Sequence, residues 1–332
     1  MRRLIINADD FGLTAGVNRG IAEGMRAGAI TSCTLMAGAQ AFPDAVGRLE
    51  HLGSLGTCSD PSVPLQNDTD GARPERHAVP ALMGSLSGGC NSRQFSIGCH
   101  VVLVDGRPLL PVGSVPSLIG AADGEFRTSF SSFAAHVLAR RIDADQVAAE
   151  AEEQIRKVQA AGVAVSHVDT HKHVHLLPAV LRAVLRAARN RGVRAIRNPF
   201  APVKPLAFAH LLRRPHLWTR YTEVRILRAW MESFRRAAGQ AGMATTDGTF
   251  GIVSTGALDL ELFQAIIGCI PEGTWELCCH PGHSDADLQQ VRTRLHQSRD
   301  RELAVLTSSD ARDVMKRQGI ELISYWDLNG IA

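Results

Sequence analysis

The sequence predicts an α/β protein: a parallel sheet with its helices outside, either open or closed into a barrel. Three observations point there. Aliphatic and β-branched runs suited to strands alternate with stretches of helical periodicity for most of the length. Glycines fall where helices must stop, at Gly162, Gly192 and Gly319. Histidines and aspartates collect at the ends of the strand-like runs, where folds of this class gather their chemistry.

Taken in order, Arg3–Ala8 reads as a buried strand and Val17–Ala27 as the helix after it. Ile30–Met36 is a second strand, rich in β-branched residues. Ala144–Ala161 has helical periodicity with acidic residues early, and Val163–Asp169 is the strand that follows. Pro178–Arg191 is a helix opened by Pro178 and closed by Gly192, the usual asymmetry of helix ends. Val193–Arg197, Gly251–Ser254 and Trp275–Cys279 are short strands. Ser309–Gln318 is a helix and Ile320–Ser324 the strand after it. One segment breaks the rhythm: Gly53–Ser96 is rich in Ser, Pro, Gly, Asn and Asp. A loop that long inside a compact domain is uncommon and usually functional or disordered. The expectation is one domain over 1–332 with a loop insertion at 53–96.

Composition narrows the function. At 332 residues, 45% hydrophobic and 21% charged, the chain suits a globular protein with a sizeable core. A net charge of +3 does not call for nucleic acid. No apolar run reaches the roughly 18–20 residues of a membrane span, and the N-terminus has no signal-peptide pattern. Seven cysteines without a CxxC pair or regular spacing favour reduced thiols and a cytoplasmic location. Ala201–Arg236 interleaves eight Lys/Arg residues with Trp218, Tyr221, Trp230 and Phe234. It reads first as a solvated helical pair with its aromatics inward. The alternative is a peripheral surface meeting anionic headgroups on the inner face of a membrane. A homo-oligomer is compatible with all of this.

Three stretches carry the chemistry. In His167–His175, the residues His167, Asp169, His171, His173 and His175 occupy alternate positions. In a strand all five share one face, roughly 6.5–7 Å apart, with Lys172 turned away. Such a face is costly to bury unless its groups are paired or bind a cation; a surface His tract would show the same alternation. Asn7-Ala8-Asp9-Asp10-Phe11-Gly12 ends the first strand, where adjacent aspartates alternate in direction, so that one can face a metal while its neighbour reaches around the strand end. His100 ends the apolar run Ile97–Leu103, and His280 ends Trp275–Cys279, where Pro281 and Gly282 turn the chain. His283 follows in the loop. A carboxylate with His100 and the His171 cluster would make an Asp/His/His set suited to a divalent cation.

These motifs together resemble the YdjC/ChbG-like carbohydrate deacetylase family. The matches are Asn7–Gly12, Gly98–His100, Asp169–His175 and His280–Gly282, with weaker ones at Gly28–Ser32 and Ile196-Arg197. Within it, Val102–Pro111, His280–Asp285 and Gly319–Tyr325 look most like the hopanoid-biosynthesis-associated deacetylases. The resemblance implies a distorted (β/α) barrel of the glycoside hydrolase/deacetylase type and hydrolysis of an N-acetyl group. The substrate implied is an N-acetylglucosaminyl hopanoid glycolipid, with a chitooligosaccharide as the alternative. It implies a divalent metal on Asp10, His100 and His171, with Asp9 as base and His280 as acid. Asp169, His173, His175 and Arg197 fall to substrate binding or to support of the ligands, with His173 or His175 able to replace His171. The family implies Mg²⁺, whereas two imidazoles suit Zn²⁺ at least as well. Two departures stand out: the insertion before His100, which could cap the site or displace its strand, and Cys99 where a larger apolar residue is usual. A metal-dependent phosphoester or glycoside hydrolase and a non-catalytic glycolipid binder are the competing functions.

Overall fold

Leu4, Ile5 and Ile6 are fully buried in the longest strand, β1 (Arg2–Phe11), in a computed structural model describing residues 1–54, 95–120 and 123–328. The elements then alternate: α1 (Ala15–Arg26), β2 (Ser32–Leu35), α2 (Phe42–Ser54), β3 (Ser96–Val101), α3 (Phe130–Leu138), α4 (Ala144–Ala160), β4 (Val165–Thr170) and α5 (Pro178–Asn190). Beyond these come α6 (Phe208–Arg213), α7 (Trp218–Leu227), α8 (Met231–Gln240), β5 (Gly248–Phe250), α9 (Leu260–Cys269), β6 (Gly273–Cys279), α10 (Ala286–Gln290), α11 (Gln297–Thr307), α12 (Ser309–Arg317) and β7 (Ile320–Leu322). Thr14 caps α1 by accepting from the Val17 N–H, and Ser308 caps α12 in the same way.

Every named strand pairing is parallel, in the order β4-β3-β2-β1-β6-β5. β7 pairs with Arg2–Leu4, while β2 takes Asn7–Phe11, so one edge of β1 serves two neighbours in succession. Beyond β4 the sheet continues as isolated parallel bridges, Val168 to Ile196 and Ala195 to Ala244. The Thr249 N–H then donates to the Phe200 carbonyl and carries the chain back to β5. The result is a distorted (β/α) barrel whose weakest wall is this bridge region. The expected strand Val193–Arg197 is reduced to those bridges.

Two expectations change. The strand expected at Gly251–Ser254 is in fact Gly248–Phe250, and the chain turns at Gly251, where φ is +93°. A Cβ there would lie 2.0 Å from the Cys278 carbonyl oxygen, so only glycine passes. The strand expected at Val163–Asp169 is β4, but the one-faced alternation that an extended His167–His175 would give stops with it at Thr170, and His171–Leu176 is a 3-10 turn with Lys172 and His173 at positive φ. The expected insertion, 53–96, lies almost wholly outside the described residues. Its far end is in place: β3 pairs Ser96 through Cys99 with Ser32 through Leu35, and His100 with Asp169. Cys99 is fully buried in the core.

The basic, aromatic stretch forms α6 to α8. Phe234 packs inward, whereas Trp218 is 36% and Trp230 37% exposed, so only part of the aromatic set joins the core. Among the described residues no helix is long and apolar enough to cross a membrane.

Candidate active site at the carboxyl ends of the strands

Asp9 and Asp10 both reach the site because β1 is bulged, not because a strand alternates. Ala8 pairs with Cys33 and Phe11 with Leu35, which leaves one extra residue on β1, and Asp10 absorbs it at φ +67°. Asp is among the few residues that tolerate that conformation, and a bulge re-aims side chains. The two carboxylates then meet different surroundings. Asp9 accepts Arg197 Nη1 at 2.8 Å and Nη2 at 2.6 Å, with Asn7, Thr34 and Cys278 also donating to it. Burial alone would raise its pKa, but the Arg197 guanidinium overrides it and holds the carboxyl well below the usual carboxylate range. Asp10 accepts Arg299 Nη2 at 2.6 Å through Oδ2, while its buried Oδ1 has no hydrogen-bond partner. Arg299 likewise outweighs burial and keeps Asp10 ionised.

That orphan oxygen faces two imidazoles. Asp10 Oδ1 lies 3.6 Å from His100 Nε2 and 3.4 Å from His171 Nδ1, and the two nitrogens are 3.3 Å apart. Tetrahedral ligands at 2.0–2.2 Å from one ion sit about 3.3–3.6 Å from one another. Asp10, His100 and His171 could therefore hold a metal ion with little movement. Asp169 Oδ1 is 2.7 Å from His100 Nδ1 and turns Nε2 toward Asp10. Burial would lower the His100 pKa, yet Asp169 and the two aspartates on β1 raise it to about 9. The negative field that holds a proton there would equally favour a cation.

The 3-10 turn separates the remaining histidines. His171 joins the set with Asp10. His173 is half-buried and lines the cavity, its Nδ1 buried and unpartnered among the described residues. His175 is turned into the interior, where it bonds Thr170 Oγ1 at 2.6 Å and approaches the Arg197 carbonyl at 3.3 Å. Burial lowers His173 to about 3 and His175 to about 4. His167 lies beneath, stacked on Tyr325 at 3.5 Å between ring centroids. Lys172, expected to point away, lines the cavity and pairs with Asp105 at 2.6 Å.

Arg197 is fully buried and does not line the cavity over the site. It bridges Asp9, Asp169 (2.5 Å) and Glu276 (2.7 Å), and Tyr325 donates to Glu276 from below. His280 ends the wall opposite, with Nε2 4.0 Å from Asp9 Oδ2 and its backbone N–H donating to Glu302 at 2.6 Å. His283 lies apart, on Glu23 at 3.0 Å. Over the site opens a cavity of about 1090 Å³, walled by residues such as Leu13, Phe130, Leu176, Phe200 and Leu227.

Sequence reasoning missed Thr34, Glu276, Arg299 and Tyr325. Thr34 Oγ1 sits 3.2–3.3 Å from His100, Asp9 and Asp169 at once. Glu276 and Tyr325 lay inside motifs noticed for other reasons. Arg299 had no signal, since it is one of several arginines in a polar stretch.

Comparison with known proteins agrees with this architecture. A protein from Enterococcus faecalis V583 has a crystal structure that superposes with a TM-score of 0.69 at 22% identity, over 98% of this chain and 97% of that one, which shows the shared fold. The carbohydrate deacetylase of Geobacillus stearothermophilus is 28% identical over 325 residues, 98% of this chain and 97% of its own. That of Thermoanaerobacter pseudethanolicus is 25% identical over 325 residues, 98% of each chain. The human carbohydrate deacetylase is 26% identical over 347 residues, 98% of this chain and 91% of its own. The family model described as YdjC-like protein matches residues 3–317, and the chain belongs to that family.

Proposed function

We propose that the protein hydrolyses the N-acetyl group of an N-acetylglucosamine-containing substrate, with one divalent metal held by Asp10, His100 and His171. The observation that carries this is the convergence of three ligand atoms within 3.3–3.6 Å, one an orphaned carboxylate oxygen, beside an acid–base pair. A bound divalent ion would lower the pKa of water and polarise the acetamide carbonyl. Asp9, ionised and fixed by Arg197, takes the proton of the attacking water. His280 gives a proton to the departing amine, an imidazole's ordinary task near neutral pH. Asp169 positions His100, and Arg197 positions Asp9 and Asp169 together. His173 contacts the sugar from the cavity wall. Mg²⁺ is the ion the family resemblance implies, and the two imidazoles suit Zn²⁺ as well.

The substrate's second half is apolar in this reading, an N-acetylglucosaminyl hopanoid. The cavity exceeds the roughly 300–1,000 Å³ usual for small-ligand sites, and its walls are largely hydrophobic. Ile226 lines the cavity and is 69% exposed, so the apolar wall reaches the surface. Exposed Leu212 and Trp218 flank it in sequence, with Arg213 and Arg225, a composition suited to peripheral contact with an anionic membrane. The test is acetate release from an N-acetylglucosaminyl hopanoid set against chitooligosaccharides, with the metal varied. Acetate from the lipid at higher kcat/KM is expected. Acetate only from chitooligosaccharides would remove the lipid, and release of phosphate or reducing sugar without acetate would remove the deacetylase reading altogether.

A further inference from the structure

We propose that Asp9, Cys278 and His280 form a second cation site, selective for thiophilic metals such as Zn²⁺ and Cd²⁺, whose occupation shuts off the reaction. One ligand atom from each lies within 4.8 Å of the others. Cys278 Sγ is 3.2 Å from Asp9 Oδ2, and His280 Nε2 is 4.0 Å from the same oxygen. Metal bonds of about 2.3 Å to sulfur and 2.0–2.1 Å to nitrogen or oxygen put tetrahedral neighbours about 3.3–3.6 Å apart. Asp9 and Cys278 already stand near that spacing, and His280 Nε2 has to close on Asp9 by about half an ångström. Asp9 and His280 line the cavity, so an ion has a path from solvent to two of the three groups.

A third group of possible ligands, Asp9, His100 and Asp169, shows why the second is different. Arg197 lies among those carboxylates, 2.6 Å from Asp9 Oδ1 and 2.5 Å from Asp169 Oδ2, and already supplies the positive charge. On the Cys278 side Arg197 Nη1 also donates to Asp9 Oδ2, at 2.8 Å, but the second donor to that oxygen is the Cys278 thiol, whose proton a metal would replace.

The binding step is a ligand exchange. The Cys278 Sγ–H bond breaks, a metal–sulfur bond forms, and the proton passes to buffer with no change of oxidation state. A thiolate ligand discriminates sharply: Zn²⁺ and Cd²⁺ accept it, whereas Mg²⁺ does not. The site on Asp10, His100 and His171 has only oxygen and nitrogen donors. Of these two sites Mg²⁺ therefore suits only the first, and a thiophilic ion suits both.

The shut-off rests on the roles proposed above for Asp9 and His280; the site itself does not. Full-length protein stripped of metal is titrated with Cd²⁺, with bound metal counted and the ultraviolet thiolate-to-cadmium charge-transfer band recorded. Cys278→Ala and His280→Ala are run beside it, and Cys278→Ser, nearly isosteric, serves if the alanine variant does not fold. The expected result is a band and one equivalent of Cd²⁺ that the Cys278 variants lack. Deacetylation in saturating Mg²⁺ should fall at least tenfold as that equivalent binds, and Cys278→Ser should need at least tenfold more Cd²⁺ for the same fractional loss of its own rate. Identical bands and stoichiometry in wild type and Cys278 variants would overturn the site. A Cys278-dependent band with no loss of rate would leave the site standing and overturn the acid–base assignment.

Discussion

Gly98 is the residue of the Gly98–His100 motif whose purpose the structure makes quantitative. A Cβ at this position would lie 2.5 Å from His167 Cε1 and 2.6 Å from Nε2. Relief to an ordinary carbon contact requires about 1 Å of movement. The ring has nowhere to go. Its other face stacks on Tyr325 at 3.5 Å, with an interplanar angle of 6°, and Nδ1 is held by Ser166 Oγ at 2.8 Å. Tyr325 is held in turn by Glu276 and by the Ser96 hydroxyl. β3 must therefore shift, and His100 lies two residues further along it. Gly98→Ala should destabilise the protein by about 1–3 kcal/mol, the range for an overpacked core. It should also cut kcat/KM on the order of 100-fold, as an ångström of misplacement does in a preorganised site. Urea unfolding and acetate release measure the two effects. Adding His167→Ala removes the obstacle, so the double variant should be less destabilised than the sum of the singles by about 1–3 kcal/mol. Single costs that add to within about 0.5 kcal/mol would refute the contact as the cause.

Three further outcomes are expected. His175 has a folded pKa of about 4 against 6.5 when unfolded, so the unfolded chain binds more protons between those values. Stability should therefore be full above pH 6.5 and fall by about 3 kcal/mol as pH drops toward 4, and His175→Gln should flatten part of that slope in urea titrations. Arg299→Ala leaves the Asp10 carboxylate buried without its ion pair and should cost about 3–5 kcal/mol in the same assay; a loss under 1 kcal/mol would show the pair to be dispensable. Chelation should abolish acetate release and one added equivalent of metal restore it, while Asp10→Asn should lower bound metal, counted directly, as well as rate; full activity in chelated protein would end the metal reading.

Much of the fold was legible because its elements announce themselves locally. β1, α4 and α5 each carry an apolar pattern with its own stop signal, and Pro178 and Gly192 bracket α5 nearly to the residue. What misled was the assumption that a period of two persists. The run His167–His175 alternates without a break, yet Lys172 and His173 take positive φ and the chain coils after Thr170. Nothing in the side chains records that turn, which is imposed by the need to bring His171 back over β3. Alternation also gave Asp9 and Asp10 different directions, with one reaching around the strand end, where a bulge is what brings both to the site. The short β5 and the bridges at Ile196 and Ala244 were hard to place because they rest on long-range pairing alone.

The groups that set the electrostatics were the least visible, and they decide how two adjacent carboxylates divide the work. Asp9 is saturated by Arg197, Asn7, Thr34 and Cys278, whereas Asp10 spends one oxygen on Arg299 and keeps the other bare. A bare, buried, ionised oxygen between two imidazoles is the readier ligand; a saturated one must first give up a hydrogen bond, as Asp9 Oδ2 would give up that of the Cys278 thiol to a thiophilic ion. Environment, not residue type, separates paired carboxylates into roles. A carboxylate held so acidic is a weak proton acceptor, so Asp9 brings permanent ionisation and aim to its role as base, and the acidity a bound metal would give the water must supply the driving force. It stays charged throughout the working range, and any acid limb in the rate must come from a group that does change its proton there. Arg197 makes this arrangement a unit, because one planar guanidinium spans Asp9, Asp169 and Glu276, and through Asp169 it also fixes His100. A lysine could supply the charge but not the fork. The orientation of the ligand and the orientation of the base therefore depend on the same buried cation.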